Sequence, residues 1–245
     1  MFSNKYIFIY SSVMVVIVAI LLALTSTLLK PAQDNNVKME KMQMILKSAN
    51  IEVGFEDAIE KYDEVIKSEI VLNTEGEVIA EYTNGNFEKG DIRAFDIELK
   101  KELQKIEKGN PESANLPLYV FVNNQDTLFI IPIHGKGLWG PVWGNIALKS
   151  DKETIAGVTF DHQGETPGLG AEISESKFQE QFVGKKIFDE NGSFVSVKVV
   201  KGGVANSNIN PMYGVDAVSG GTITSQGVDD MIRECLINYE NFLKQ

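Results

Sequence analysis

Ten residues near the C-terminus, Asp216-Ala217-Val218-Ser219-Gly220-Gly221-Thr222-Ile223-Thr224-Ser225, set four hydroxyls and a glycine pair directly ahead of a stretch with helical periodicity. At such a helix start, unpaired N–H groups and the dipole favour an anion, phosphate included. The same residues also make an ordinary glycine turn followed by a hydroxyl N-cap, Thr224 or Ser225. By itself the segment is compatible with a phosphate site and says nothing more.

Two further segments break from sheet-and-helix patterning. His134-Gly135-Lys136-Gly137-Leu138-Trp139-Gly140-Pro141-Val142-Trp143-Gly144 packs four glycines and both tryptophans of the chain into eleven residues. Glycine lets backbone approach closely, and indole offers a flat apolar surface for stacking on a ring. A glycine-rich turn with two core tryptophans fits the same residues. Glu165-Thr166-Pro167-Gly168-Leu169-Gly170-Ala171-Glu172 must be a specific loop, because Pro and two Gly lie within four residues. It could present N–H groups to a carbonyl-rich ring with Leu169 as an apolar contact, or simply connect two elements.

Taken together, the three segments resemble a known family. Asp216-x-x-Ser219-Gly220-Gly221-Thr222 is similar to the D-x-x-S/T-G-A-T motif modified by flavin transferases. With the HGKGLWGPVWG and ETPGLG segments, in this order, it resembles the FMN-binding domain of the NqrC family, a component of the sodium-translocating NADH:quinone reductase (Nqr). Gly221 stands where that motif usually has Ala, which leaves the acceptor hydroxyl in place. The related RnfG family, from the Rnf ion-translocating electron transport complex, carries a similar flavin motif and loop. Its first glycine segment tends to read GYGG, so Gly137-Leu138-Trp139 and the Trp143-to-Leu148 tail favour Nqr.

The resemblance implies FMN joined through its phosphate to Thr222, one per chain, carrying single electrons. It implies that Asp216, Ser219, Gly220 and Gly221 shape the attachment turn, and that Leu138, Trp139, Thr166, Gly168 and Leu169 surround the ring. No side chain would act as acid or base, and NADH would bind elsewhere in the complex. The implied partners are the other Nqr subunits, a flavin transferase and membrane lipid. The implied location is a bacterial inner membrane with the domain on its outer face. A non-redox anchored scaffold or binding module is the rival from a different class.

The elements that must position these segments read as an α+β domain on a mostly antiparallel sheet. Helices are expected over 35–48, with Val37, Met42, Ile45 and Leu46 on one side, and over 56–68. A hairpin is expected at 70–78 around Asn73-Thr74-Glu75-Gly76. The polar stretch 83–114 reads as loops with a short helix near 96–107. Strands follow at 118–122 and 127–133, separated by Asn123-Asn124-Gln125-Asp126, and then at 145–148, 155–160 and 194–200. A closing helix over 226–243 carries Val228, Met231, Ile232, Cys235, Leu236, Tyr239, Phe242 and Leu243 as one apolar stripe. The expected organisation is an anchor at 1–30, juxtamembrane helices and hairpin at 31–115, and the FMN-binding domain at 116–245.

Composition narrows the chemistry. Residues 6–29 contain no charged side chain, enough at about 1.5 Å per residue to span a hydrocarbon core of roughly 30 Å. A cleaved signal would have a shorter apolar region and a clean small-x-small site, and LTSTLLKPAQ offers neither. Residues 1–30 hold two of the 23 basic residues and none of the 34 acidic ones, so the remainder is more acidic than the chain's formal −11. Such a surface is unsuited to nucleic acid. Lys5 before the anchor and Lys30, Lys38 and Lys41 after it slightly oppose an external domain, although large domains translocate regardless of such charges. One cysteine, Cys235, and two histidines, His134 and His162, cannot supply an iron–sulfur, zinc or His-rich metal centre. Cys235 reads as a buried thiol, and His162 as a loop residue that could hydrogen-bond near the flavin.

Overall fold

The structure is a computed structural model describing residues 3–123 and 126–245; Asn124 and Gln125, expected in a turn, lie outside the described residues. Two compact units are present, 1–41 and 42–245.

Helix α1 (Asn4–Ser48) is continuous through Pro31 and is long and apolar enough to cross a membrane by length and composition. The helix expected over 35–48 is therefore the end of α1. Pro31 removes one backbone bond without stopping the helix, and no glycine follows to end it. Of the apolar side expected there, Met42, Ile45 and Leu46 are buried and Val37 is exposed.

The second unit is built on a seven-stranded sheet in which every neighbouring pair is antiparallel. Helix α2 (Ala58–Val65) leads into β1 (Ile66–Leu72), followed by β2 (Val78–Thr83) and β3 (Asn86–Lys89). After α3 (Leu99–Glu107) come β4 (Leu116–Asn123), β5 (Asp126–Lys136), β6 (Pro141–Leu148) and β7 (Ile155–His162). The spatial order is β3-β2-β1-β4-β5-β6-β7. Because β1 pairs with β4, the sheet runs across position 115 without a break. A short α4 (Ser176–Gln179) precedes a parallel pair, β8 (Lys198–Val200) and β9 (Gly214–Asp216). The chain closes with α5 (Thr222–Leu236) and α6 (Glu240–Leu243), joined by one 3₁₀ turn.

Alternation along the strands gives the sheet two buried faces. Leu116 and Leu118 of β4 and Ile131 and Ile133 of β5 pack with Val228, Met231, Ile232, Cys235 and Leu236 of α5. The opposite positions, Tyr119, Phe121 and Ile130, pack with Met42, Ile45 and Leu46 at the end of α1 and Tyr62 and Val65 of α2. Each large aliphatic side chain so buried contributes roughly 1.5–3 kcal/mol. Helices thus pack on both faces of the sheet.

Several elements differ from expectation for physical reasons. The helix expected over 56–68 stops at Val65, because Ile66 and Ser68 pair with Phe121 and Val120 of β4. Sheet pairing there overrides local helical spacing. The polar stretch after Thr83 holds β3, turned by Asn84 (φ 49°) and Gly85 (φ 87°). That dipeptide is the usual signature of a two-residue hairpin turn, so the signal was present in the sequence. The strand expected over 194–200 keeps three paired residues, with a single bridge between Phe188 and Phe194.

Candidate cofactor site

HGKGLWGPVWG is not a free loop. His134, Gly135 and Lys136 end β5, and Pro141, Val142, Trp143 and Gly144 begin β6, paired residue for residue. Only 137–140 turn, closed by the Gly137 N–H donating to the Gly140 carbonyl at 2.8 Å. The two tryptophans part company here. Trp143 lies in the strand opposite His134, whereas Trp139 at the turn is 68% exposed, with Leu138 exposed beside it.

The 165–172 loop leaves the end of β7 next to this turn. Gly168 has φ +74°, a conformation that favours glycine, and Leu169 is exposed. Glu165, which opens the loop, is 4% exposed. Its Oε1 accepts the Trp139 N–H at 2.9 Å, and its Oε2 accepts the Thr224 hydroxyl at 2.6 Å. The Glu165 N–H in turn donates to His162 Nδ1 at 3.2 Å, so His162 shapes the loop start.

The 216–225 turn closes the arrangement. Gly220 has φ +75°, and a Cβ there would lie 2.5 Å from Leu169 Cδ2. A Cβ on Gly221 would lie 3.2 Å from Gly170, so Ala, the usual residue of the motif, would require a small shift. Gly221 is the N-cap position without a side-chain cap bond, and Thr222 is the first helical residue of α5, with its side chain exposed. The N–H groups of Thr222, Ile223 and Thr224 precede the first intrahelical bond and have no helical acceptor. Asp216 Oδ1 accepts the Val204 N–H at 2.7 Å, which ties the turn to the preceding loop. Beside the turn an open cleft of ≈ 570 Å³ runs between Gly168 and Glu172 on one side and Asp216, Val218 and Ser219 on the other.

Three segments distant in sequence thus converge on one surface, with an exposed indole, an exposed leucine and an exposed threonine hydroxyl. A stacking surface, an anion-accepting helix start and left-handed glycines fit a phosphorylated aromatic cofactor.

The FMN-binding domain family model matches residues 137–237, which include the 165–172 and 216–225 segments and the 137–144 part of the first. The NqrC protein of the Na(+)-translocating NADH-quinone reductase from Vibrio parahaemolyticus is 34% identical over 211 residues, covering 82% of this chain and 78% of that protein. The chain belongs to the NqrC family. The Haemophilus ducreyi NqrC is 32% identical, covering 89% of this chain and 83% of that protein. The crystal structure of the Parabacteroides distasonis NqrC superposes with a TM-score of 0.74 at 40% identity, covering 89% of this chain and 98% of that chain.

Within the fold of this family, the residues expected around a ring (Leu138, Trp139, Thr166, Gly168, Leu169) lie on the 137–140 turn and the 165–172 loop. Those expected at an attachment turn (Asp216, Ser219, Gly220, Gly221, Thr222) lie next to that loop. Two expectations are corrected. The closing helix starts at Thr222, not Gln226, so Thr222 is within the helix rather than before it. Thr224 does not cap it: its side chain is buried and bonded to Glu165, while the Ser225 hydroxyl accepts the Val218 N–H at 3.0 Å. No local pattern in the sequence marks Glu165 itself. Its partners lie 26 and 59 residues away, beyond any local pattern. Cys235 is buried, and burial pushes its thiol pKa up to about 12, in keeping with a core residue.

Proposed function

We propose that this chain is the FMN-carrying electron-transfer subunit of a sodium-pumping NADH:quinone reductase, with FMN esterified through its phosphate to the Thr222 hydroxyl. The observation that carries this reading is the exposed Thr222 at the uncapped start of α5, on a turn that meets Leu169 and is joined through Glu165 to the turn bearing the exposed Trp139. The flavin, when bound, supplies one-electron carriage. The chain's own part is to hold and orient it. Thr222 offers the ester oxygen, while Ser219, Gly220, Gly221 and Asp216 keep that oxygen at the surface. The N–H groups at the start of α5 would hold the phosphate. Trp139, Leu138 and Leu169 would contact the ring, with Thr166 and Gly168 beside it.

A flavin transferase would form the Thr222 O–P bond as the P–O–P bond of a flavin dinucleotide breaks, the nucleoside monophosphate leaving and the hydroxyl proton being released, so that the chain gains FMN less one water. α1 would anchor the chain in the inner membrane among the other subunits, with the domain on the outer face, where protease added to spheroplasts would reach it. Intact-mass analysis of protein made with the transferase tests the attachment. Wild type and Thr224→Ala are expected to carry the increment, and Thr222→Ala to lack it while remaining folded. An increment on Thr222→Ala would move the attachment elsewhere. Its absence from wild type, with colourless protein, would favour a non-redox anchored module instead.

A further inference from the structure

Glu165 is a buried carboxylate with neutral donors on both oxygens, Trp139 N–H on one and Thr224 O–H on the other. Among the described residues no Lys, Arg or His forms an ion pair with it. Burying such a group is costly, and an apolar residue would serve packing better. The surroundings are nonetheless shaped to admit it. A Cβ at Gly137 would collide with Oε1, and one at Gly170 with Oε2 and the Thr224 hydroxyl. What the carboxylate holds is also informative. Trp139 is 68% exposed, so fixing its main chain adds little to the core. Thr224 lies two residues beyond Thr222 in the same helical turn.

We propose that Glu165 is a positioning residue for the flavin: its carboxylate locks the Trp139 turn to the first turn of α5. The stacking surface is thereby held at a set distance from the attachment oxygen. This rests on the FMN reading above, since without a ring at Trp139 the lock would have nothing to align.

Three variants, made with the flavin transferase and read by intact mass and by visible absorption and circular dichroism, test it. Glu165→Ala is expected to keep the FMN mass increment but to shift the flavin bands and weaken their dichroism. Glu165→Gln keeps an oxygen for the Trp139 N–H and an amide that can donate to Thr224, whose hydroxyl then accepts. It is expected to restore the wild-type spectra. Thr224→Val removes one of the two bonds at constant shape and should move the spectra in the same direction by less. Wild-type spectra in Glu165→Ala would overturn the proposal, as would a Glu165→Gln spectrum as altered as that of Glu165→Ala. If Glu165→Ala fails to fold, Thr224→Val decides alone, and wild-type spectra there overturn the proposal. A colourless wild type without the increment would instead refute the FMN reading.

Discussion

Two hairpin turns of the same sheet use glycine for opposite reasons. At the β2–β3 turn Gly85 has φ +87° and nothing within 4 Å of where a Cβ would be. Its requirement is conformational, since the backbone adopts a shape that disfavours any Cβ. At the β5–β6 turn Gly137 has no left-handed φ, yet a Cβ there would meet Glu165 Oε1 and Val142 Cγ1. Its requirement is spatial. One turn only reverses the chain; the other has a buried carboxylate pressed against it. Glycine in a turn is therefore uninformative until its surroundings are known, and a crowded glycine points to a site where an open one points to topology.

The comparison can be broken at either turn. The largest effect is expected for Gly137→Ala, which overpacks a site that cannot relax without losing the Glu165 bonds. Thermal unfolding should report a loss of up to about 3 kcal/mol, and the flavin bands should shift. Wild-type stability and spectrum would mean that the turn is not crowded in solution. Gly85→Ala comes next, with a loss of about 1 kcal/mol from left-handed strain alone and no change in the flavin spectrum. Sharpening that result, Gly85→Asn should recover most of the loss, because Asn tolerates this conformation. Gly137→Asn should recover none, and a rescue there would overturn the spatial reading. The smallest effect on stability belongs to Trp139→Ala, within about 0.5 kcal/mol because the side chain is largely exposed. Its flavin should stay attached by mass while the absorption shifts. An unaltered spectrum would remove Trp139 from the ring.

Much of this was legible along the chain. The apolar run of α1 follows from its length without a charge, and the β4 and β5 strands and the stripe on α5 follow from periodicity, which burial of one face imposes on sequence. The Asn73–Gly76 turn and the α3 helix also stand where residue types put them. β3 stands where loops are expected although Asn84-Gly85 announces a hairpin, because its strand, Asn86–Lys89, is wholly exposed and lacks apolar alternation. The early end of α2 was not legible, since it depends on β4 drawing Ile66 and Ser68 into the sheet.

For the site, the amino-acid sequence alone determined its ingredients: a threonine after two glycines, a turn with an indole, and a proline-glycine loop. Each is a local pattern, set by which backbone shapes and functional groups a few adjacent residues allow. Only the tertiary structure decided how they are joined. Thr224 reads locally as a helix cap, but the helix begins two residues earlier at Thr222, and a carboxylate 59 residues away takes its hydroxyl. That bond and its partner at Trp139 form because β7 delivers Glu165 between the β5–β6 turn and α5. A hydrogen bond needs donor and acceptor within about 3 Å, and only the folded sheet brings these groups that close.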